Sequence, residues 1–540
     1  MKPSALYPVL AGLVILVWLG FLGTRPLFNP DEGRYAEIPR EMLAQGDWVI
    51  PHLNGLAYIE KPPLQYWGTA LSYRVFGVSN FSARLYTALC ALGTVLVVAF
   101  LAKRLWSIDA AWRVAAMLAG MMLFLILGQL LTLDMGLTFW MSCSLVGFVL
   151  GQTDPVKGSR WMLVAWVATA LGVLSKGLVA AAIPACVLVL YSLAARDFAP
   201  WRRLQLLLGL PLFLAITIPW HWLAARRLDD FLQFFFVHEH FARYLTTVSD
   251  RVEPWWYFGV VFLAGTVPWT LSAVRVVATG WRAPRSPGEF NVKLFLWIWV
   301  VFIGVFFSLS DSKLIPYILP LLPALALLIA AQPEPVLKRD LSWTAALTLL
   351  AAVGLGVATL NWTALIGSSA RSAVFLPLAA PVREVALLLL VTGAFVAMRT
   401  RGDITRVAVF LGVGWCLGGL LLMRAAGAVA PIYSGVDLAA AFPTDQRNSP
   451  LYSVATYDQS LIFYLQREAT LVRYRGELDY GLNRAPDREI KQLDEFIEVW
   501  SAQSQAFAVM ENGMYDELKG RGVTMRVLGR NFGKVLVART

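Results

Sequence analysis

Apolar runs of about 20 residues recur through the first 425 positions of this 540-residue chain. A run of that length is what an α-helix needs to cross the hydrocarbon core of a bilayer with its backbone polar groups satisfied. The runs read as spans near 8–24, 83–102, 113–127, 132–150, 161–175, 178–195, 204–223, 256–275, 293–309, 315–331, 342–361, 382–398 and 407–424. Thirteen spans predict one polytopic all-α membrane domain over residues 1–435. Composition points the same way, with 58% hydrophobic and 15% charged residues, where a soluble chain carries about a quarter charged. Disorder, collagen and a disulfide scaffold are excluded on the same figures. The four cysteines, Cys90, Cys143, Cys186 and Cys416, fall inside spans and read as small buried apolar side chains.

A net charge of +11 raises the question of nucleic acid. The surplus basic residues, however, sit in short loops between apolar runs, as orientation signals do. Alternate loops carry Lys103/Arg104, Lys157/Arg160, Arg202/Arg203, Arg282/Arg285, Lys338/Arg339 and Arg399/Arg401. All of them fall on one face, which the rule assigns to the cytoplasm. Residues 1–24 have the outline of a signal peptide, but no small-residue cleavage site follows Leu22, so they read as a retained first helix. An odd number of crossings then sends the C-terminus to the periplasmic face.

The C-terminal stretch 436–540 is different in kind, holding 13 basic and 14 acidic residues in 105 positions. Short apolar segments at 451–457, 470–474, 506–510 and 535–538 predict strands, and 459–466 and 489–502 have helical spacing. The expectation is a small soluble α/β domain on the periplasmic side. No internal repeat and no low-complexity stretch is present, so a transporter built from inverted halves gains no support.

The outward loops hold the chemistry. The first, over 25–82, is long and polar, with Asp31-Glu32-Gly-Arg34-Tyr35, Arg40-Glu41, Gly46-Asp47-Trp48 and Tyr58-Ile-Glu60-Lys61-Pro62-Pro63. Its basic residues break the charge bias of the other outward loops. Segments beginning at Pro39 and Leu64 are amphipathic, and they predict short juxtamembrane helices lying along the membrane surface. The alternative is a merely solvated loop. Against it, Asp134, Lys176, Asp311 and Lys313 lie at span edges on the same outer face. Ionisable groups there are costly and tend to line substrate paths, so they predict one outward-facing polar site.

Asp31 and Glu32 are adjacent, so their side chains diverge and do not share a proton; one acts and the other orients. Lys61, Lys176, Arg243 and Lys313 supply positive charge on the same face, suited to a phosphate-linked lipid. Neither G-x-x-x-x-G-K-[ST] nor G-x-G-x-x-G occurs, so no nucleotide cradle is on offer and an activated donor must bring its own energy.

Seven linked motifs carry a resemblance: Asp31-Glu32-x-Arg34-Tyr35-x-x-Ile-x-Arg40-Glu41-Met, Gly46-Asp47-Trp48-x-x-Pro51-His52-Leu-Asn54-Gly55, Tyr58-x-Glu60-Lys61-Pro62-Pro63-x-x-Tyr66-Trp67, Leu133-Asp134-Met, Ser175-Lys176-Gly177, Glu239-His240-Phe-x-Arg243-Tyr244 and Lys313-Leu-x-Pro316-Tyr317-x-Leu-Pro320. Over roughly residues 25 to 320 the chain resembles the bacterial lipid A aminoarabinose transferases, within the C-type glycosyltransferases that include the protein O-mannosyltransferases. Tyr244 stands where phenylalanine would be expected, and 436–540 carries no motif that matches.

The resemblance implies the C-type glycosyltransferase fold in the bacterial inner membrane, N-terminus cytoplasmic and site periplasmic. It implies transfer of 4-amino-4-deoxy-L-arabinose from undecaprenyl phosphate to a phosphate of lipid A, with resistance to polymyxin and cationic antimicrobial peptides as the consequence. Donor, acceptor and surrounding membrane lipid are then the partners of a monomer, with neither nucleotide nor nucleic acid. Asp31, Glu32 and Asp134 are the catalytic candidates. Lys61, Arg34, Arg243, Lys313, Tyr317, Tyr35, Tyr58 and Lys176 are the candidates for holding the phosphate and lipid donor. Glu60 and His240 offer ligand types that suit a structural zinc, although the spacing around His238-Glu239-His240 matches no standard motif. A different polyprenyl-phosphate-dependent glycosyltransferase, acting on protein or another lipid, is the nearer alternative, and a lipid flippase the farther one.

Overall fold

A computed structural model describes residues 3–242, 253–282, 289–399, 402–446 and 448–539. Most of the chain is helical. Helices α1 (Pro3–Gly20), α2 (Asp31–Gln45), α3 (Leu64–Phe76), α4 (Asn80–Leu105), α5 (Ile108–Gly120), α6 (Met122–Gln129), α7 (Leu133–Thr153) and α8 (Gly158–Lys176) form the first third. Local chemistry fixes several of these starts. Ser79 and Ser82 cap each other's backbone N–H groups at the head of α4, and Ser107 caps α5, satisfying donors that the first turn leaves without partners.

Among the described residues, seven helices are long and apolar enough to cross a bilayer, and α5 with α6, bent by 66°, makes an eighth if taken as one span. The bend sits at Met121, whose extended backbone frees the Met122 N–H to donate to the Val267 carbonyl at 3.0 Å. Shorter apolar helices at Leu6–Gly20, Val179–Ala195, Val292–Ser308 and Ile315–Ala330 occupy four more of the apolar runs. The run at 256–275 is not one helix but two, Tyr257–Gly265 and Thr270–Thr279. Every run is thus helical, while helix length alone does not give thirteen spans.

The first outward loop folds into α2, a two-stranded hairpin of β1 (His52–Leu53) and β2 (Leu56–Ala57), and α3. Helix α2 carries the segment from Pro39, and ten of its residues, including Glu32, Arg34, Tyr35, Glu37 and Glu41, are buried. What covers them comes from the other end of the chain. Helix α3 does bury one side, with Tyr66, Ala70 and Tyr73, and leaves Leu71, Val75 and Phe76 exposed.

That cover is a six-stranded sheet, β3 (Leu451–Val454), β4 (Thr470–Val472), β5 (Glu489–Ile490), β6 (Phe507–Glu511), β7 (Arg526–Arg530) and β8 (Lys534–Ala538), in the order β5-β4-β3-β6-β8-β7. The first four strands run parallel, β8 lies antiparallel to β6, and β7 lies antiparallel to β8. Strand order reverses between β3 and β6, the arrangement of doubly wound α/β folds. Two strands escaped the sequence. Residues 489–490 form an edge strand where one helix was expected, so that helix starts only at Leu493; β7 is a polar edge strand without the alternation that marks a half-buried one. The helix Gln459–Leu465, after β3, is capped by Asp458 and packs across α2. One apolar cluster runs through this contact, joining Leu27, Ile38, Met42, Tyr58 and Tyr66 to Leu438, Leu461, Ile462, Leu478 and Leu482. Gly33 permits the close approach, since a Cβ there would stand 2.4 Å from the Ser460 backbone nitrogen.

Candidate active site

Asp31 and Glu32 open α2, and the helix turns them to opposite fates. Asp31 stays half exposed, its side chain 52% accessible, and meets Arg34 at 3.3 Å. Glu32 is buried between two guanidinium groups. Arg25 reaches it at 2.6 and 3.0 Å and Arg84 at 2.7 and 2.9 Å, while the backbone N–H groups of Phe28 and Leu131 donate to the same carboxylate at 3.1 Å each. Burial alone would raise the Glu32 carboxyl, but Arg25 and Arg84 hold it well below the usual carboxylate range. The arginines continue the network, Arg84 donating to the carbonyls of Leu22, Arg25 and Pro26 and Arg25 to that of Gln129. Glu32 therefore ties the end of α1, the head of α4 and the α6–α7 connection into one knot beneath Asp31.

Arg34 is buried and forked between two carboxylates, Asp31 on its own helix and Glu477 from beyond β4. Its guanidinium lies over the Tyr35 ring at 5.7 Å, and its Nε has no hydrogen-bond partner among the described residues. The hydroxyls of Tyr58 and Tyr66 are likewise buried and without a partner among them, and the Tyr35 and Tyr66 rings lie 6.3 Å apart. Buried hydroxyls normally find partners, so this group of orphaned donors and acceptors marks a place where a polar ligand fits. Burial raises the Tyr35 hydroxyl far above its ordinary range, and the charges of Asp31, Glu60 and Asp134 all bear on it.

Across from this group, Asp134 stands in the first turn of α7 and Lys176 in the last turn of α8, each at the helix end that favours its charge. The two form an ion pair, and the Lys176 ammonium sits 4.9 Å from the centre of the Tyr317 ring. Lys61 donates to the Glu60 carbonyl at 2.9 Å, immediately before Pro62 and Pro63 lead into α3. Lys313 is buried and donates to the Ser310 carbonyl at 2.7 Å, while Asp311 is exposed. The structure thus brings Asp31, Arg34, Tyr35 and Tyr58 together, joins Asp134, Lys176 and Tyr317, and lets Tyr35 feel the charge of both groups. Arg243 and Tyr244 lie outside the described residues, as does the side chain of His240. Among the described residues no three His, Cys, Asp or Glu gather where a metal ion would sit, so the pairing of Glu60 with His240 on zinc has no support here.

Sequence reasoning missed Glu477, Arg25 and Arg84. Tyr66 stood in a quoted motif without a role. Further along α2, Glu41 accepts from the backbone N–H groups of Asn54 and Gly55 at 2.7 and 2.8 Å; burial, then the neighbouring Glu37, push its carboxyl up to about 8.

Comparison with known proteins follows the same division. The family model for dolichyl-phosphate-mannose-protein mannosyltransferase matches residues 10–235, and the aminoarabinose transferase C-terminal domain model matches residues 439–539. The tail, which offered no motif to the eye, is thus matched as a unit. An undecaprenyl phosphate-alpha-4-amino-4-deoxy-L-arabinose arabinosyl transferase of Aeromonas hydrophila is 34% identical over 325 residues, 59% of this chain and 58% of that protein. The aligned stretch therefore spans less than two thirds of that relative's length. The crystal structure of ArnT from Cupriavidus metallidurans bound to undecaprenyl phosphate superposes with a TM-score of 0.91 at 32% identity, covering 100% of this chain and 99% of that one. The apo state of the same protein gives 0.89.

Proposed function

The chain belongs to the aminoarabinose transferase family of C-type glycosyltransferases, and from that premise we propose that it moves 4-amino-4-deoxy-L-arabinose from undecaprenyl phosphate to a phosphate of lipid A. The observation that carries this reading is the pairing of Asp31 with Arg34 over the Tyr35 ring, beside buried tyrosine hydroxyls that have no partner among the described residues. It is supported by the solved relative, whose bound ligand is undecaprenyl phosphate. The membrane is the bacterial inner membrane, crossed thirteen times by residues 1–435, with the site and residues 436–540 on the periplasmic side and the N-terminus in the cytoplasm. The enzyme acts as a monomer, and resistance to polymyxin follows from masking a lipid A phosphate.

In the transfer, the bond from the sugar's anomeric carbon to the donor phosphate oxygen breaks and a bond to a lipid A phosphate oxygen forms. Charge develops on the sugar ring as on an oxocarbenium ion, and Asp31 stabilises it at close range. The acceptor phosphate is already ionised near neutral pH, so no strong general base is required. Asp134 orients Lys176 and Tyr317 on the far wall. Lys61, with Arg34, Arg243 and Lys313, binds the leaving phosphate as its charge grows, and Tyr35 and Tyr58 line the sugar.

The direct test is lipid A extracted from cells with and without the gene, donor being present in both, and weighed by mass spectrometry. Added aminoarabinose only in the expressing cells is expected; unchanged lipid A alongside newly glycosylated protein would move the acceptor to protein. Lys61 gives a second expectation. The prolines after it stiffen the chain and hold the ammonium at a fixed height near the headgroups. Lys61→Ala loses undecaprenyl phosphate binding in detergent and transfer together, and Lys61→Arg recovers only part, because a planar fork replaces a compact charge. Full activity in Lys61→Ala would make this lysine a helix anchor and leave the phosphate to Arg243 and Lys313.

A further inference from the structure

We propose that Glu477, reaching in from the C-terminal α/β unit, is a positioning residue for the transfer: it holds one side of the Arg34 guanidinium so that Asp31 keeps its carboxylate turned to the sugar. The proposal rests on the transferase reading above.

Glu477 lies in a single turn, Gly476–Leu478, a few residues past the carboxyl end of β4. Ligands of doubly wound folds bind outside the carboxyl ends of the strands, near the point where strand order reverses. In this chain that edge is turned on α2. Asp458 and Ser460, following β3, bind both ends of the Asn29 side-chain amide at 2.8 Å, two residues before Asp31, and Gly33 lies against Gln459 and Ser460. Gln459 in turn donates to the Glu477 carboxylate at 2.7 Å. The crevice that elsewhere takes a cofactor here grips the segment bearing the reactive carboxylate.

The Glu477 side chain is 12% exposed and forms an ion pair with Arg34, whose other side meets Asp31. Burial pushes the Glu477 carboxyl up and Arg34 pulls it back, so the charge on Glu477 depends on Arg34. With Glu477 neutral, Arg34 is left with Asp31 as its one carboxylate partner and draws it into a closed pair, away from the sugar. Docking of the unit does not depend on this contact. Asn54 exchanges two hydrogen bonds with Ala469, Asp230 accepts from Tyr480 and is paired with Arg484, and the shared apolar cluster surrounds them.

The experiment compares purified parent, Glu477→Gln, Glu477→Asp and the docking control Asp230→Ala. Each is given polyprenyl-phosphate-linked aminosugar and lipid A, with kcat, KM and melting temperature measured separately. Glu477→Gln is expected to lower kcat by about 10- to 100-fold, the scale of a misplaced reacting group. Its KM for donor stays within about threefold, and Glu477→Asp restores part of the rate. Asp230→Ala lowers the melting temperature and keeps kcat. Two results overturn the role of Glu477: a Glu477→Gln enzyme with the parent's kcat, or kcat losses in Glu477→Gln and Asp230→Ala that simply track the loss of melting temperature. A parent that transfers no aminosugar overturns the transferase reading itself and the role of Glu477 with it.

Discussion

Asp31→Asn lowers kcat by about 100- to 1,000-fold, the magnitude seen when one preorganised charge-stabilising group is removed from an enclosed site, while the protein inserts and purifies as the parent does. The stability half of this expectation follows from where Asp31 sits. Its side chain is half exposed and, among the described residues, is held by Arg34 alone, so folding depends on it little. A carboxylate in a first helical turn contributes about 0.3–1 kcal/mol, which is the whole of what asparagine gives up. The rate half follows from charge: asparagine matches aspartate in shape and can accept the same hydrogen bond, but carries nothing to offset the positive sugar ring. Asp31→Ala should fall at least as far. The measurement is single-turnover transfer with saturating donor, alongside a melting curve. Near-normal turnover in the asparagine variant would defeat a charge role and make Asp134 the better candidate.

Glu32→Ala has the opposite signature. It removes the one carboxylate between Arg25 and Arg84, both buried, and leaves two guanidinium groups without compensation. Breaking a buried pair from one side costs about 3–5 kcal/mol, and here the loss falls on the junction of α1, α4 and the α6–α7 connection. Little folded protein is expected in detergent extracts, and what survives should melt far below the parent. Glu32→Gln keeps the acceptor oxygen and should sit between them. The pH dependence has a definite sign. The folded carboxyl is held far below an unfolded glutamate near about 4.3, so its stabilisation is complete above that value and is lost only in stronger acid. A melting temperature for Glu32→Ala within two or three degrees of the parent, at about 2–4 °C per kcal/mol for large domains, would show that the knot bears little of the fold.

These two neighbours show what a sequence discloses and what it withholds. That they diverge was legible, because successive residues on a helix point apart. Which one acts was not, since the partners that sequester Glu32 stand at opposite ends of the loop, at 25 and 84. Those arginines looked like exceptions to the charge bias of outward loops; neutralised by Glu32 and buried, they are not free charge at all. Asp134 and Lys176, read as helix-end charges on one face together with Asp311 and Lys313, do form an ion pair; the Tyr317 ring beside Lys176 was not part of that set. The cover over α2 and the contact made by Glu477 went unseen for one reason: both come from the pairing of distant segments, and periodicity reports only on neighbours.

The pairing of Asn29 with Asp458 spans 429 positions. At about 5–20 residues per second, a ribosome needs roughly 20 to 90 s to deliver the second partner after the first. Throughout that interval Asp31 and Arg34 exist with no Glu477 to brace them. On the proposed reading the carboxylate is held in its working position only once the C-terminal unit has docked, so order of synthesis sets the order in which the site is completed.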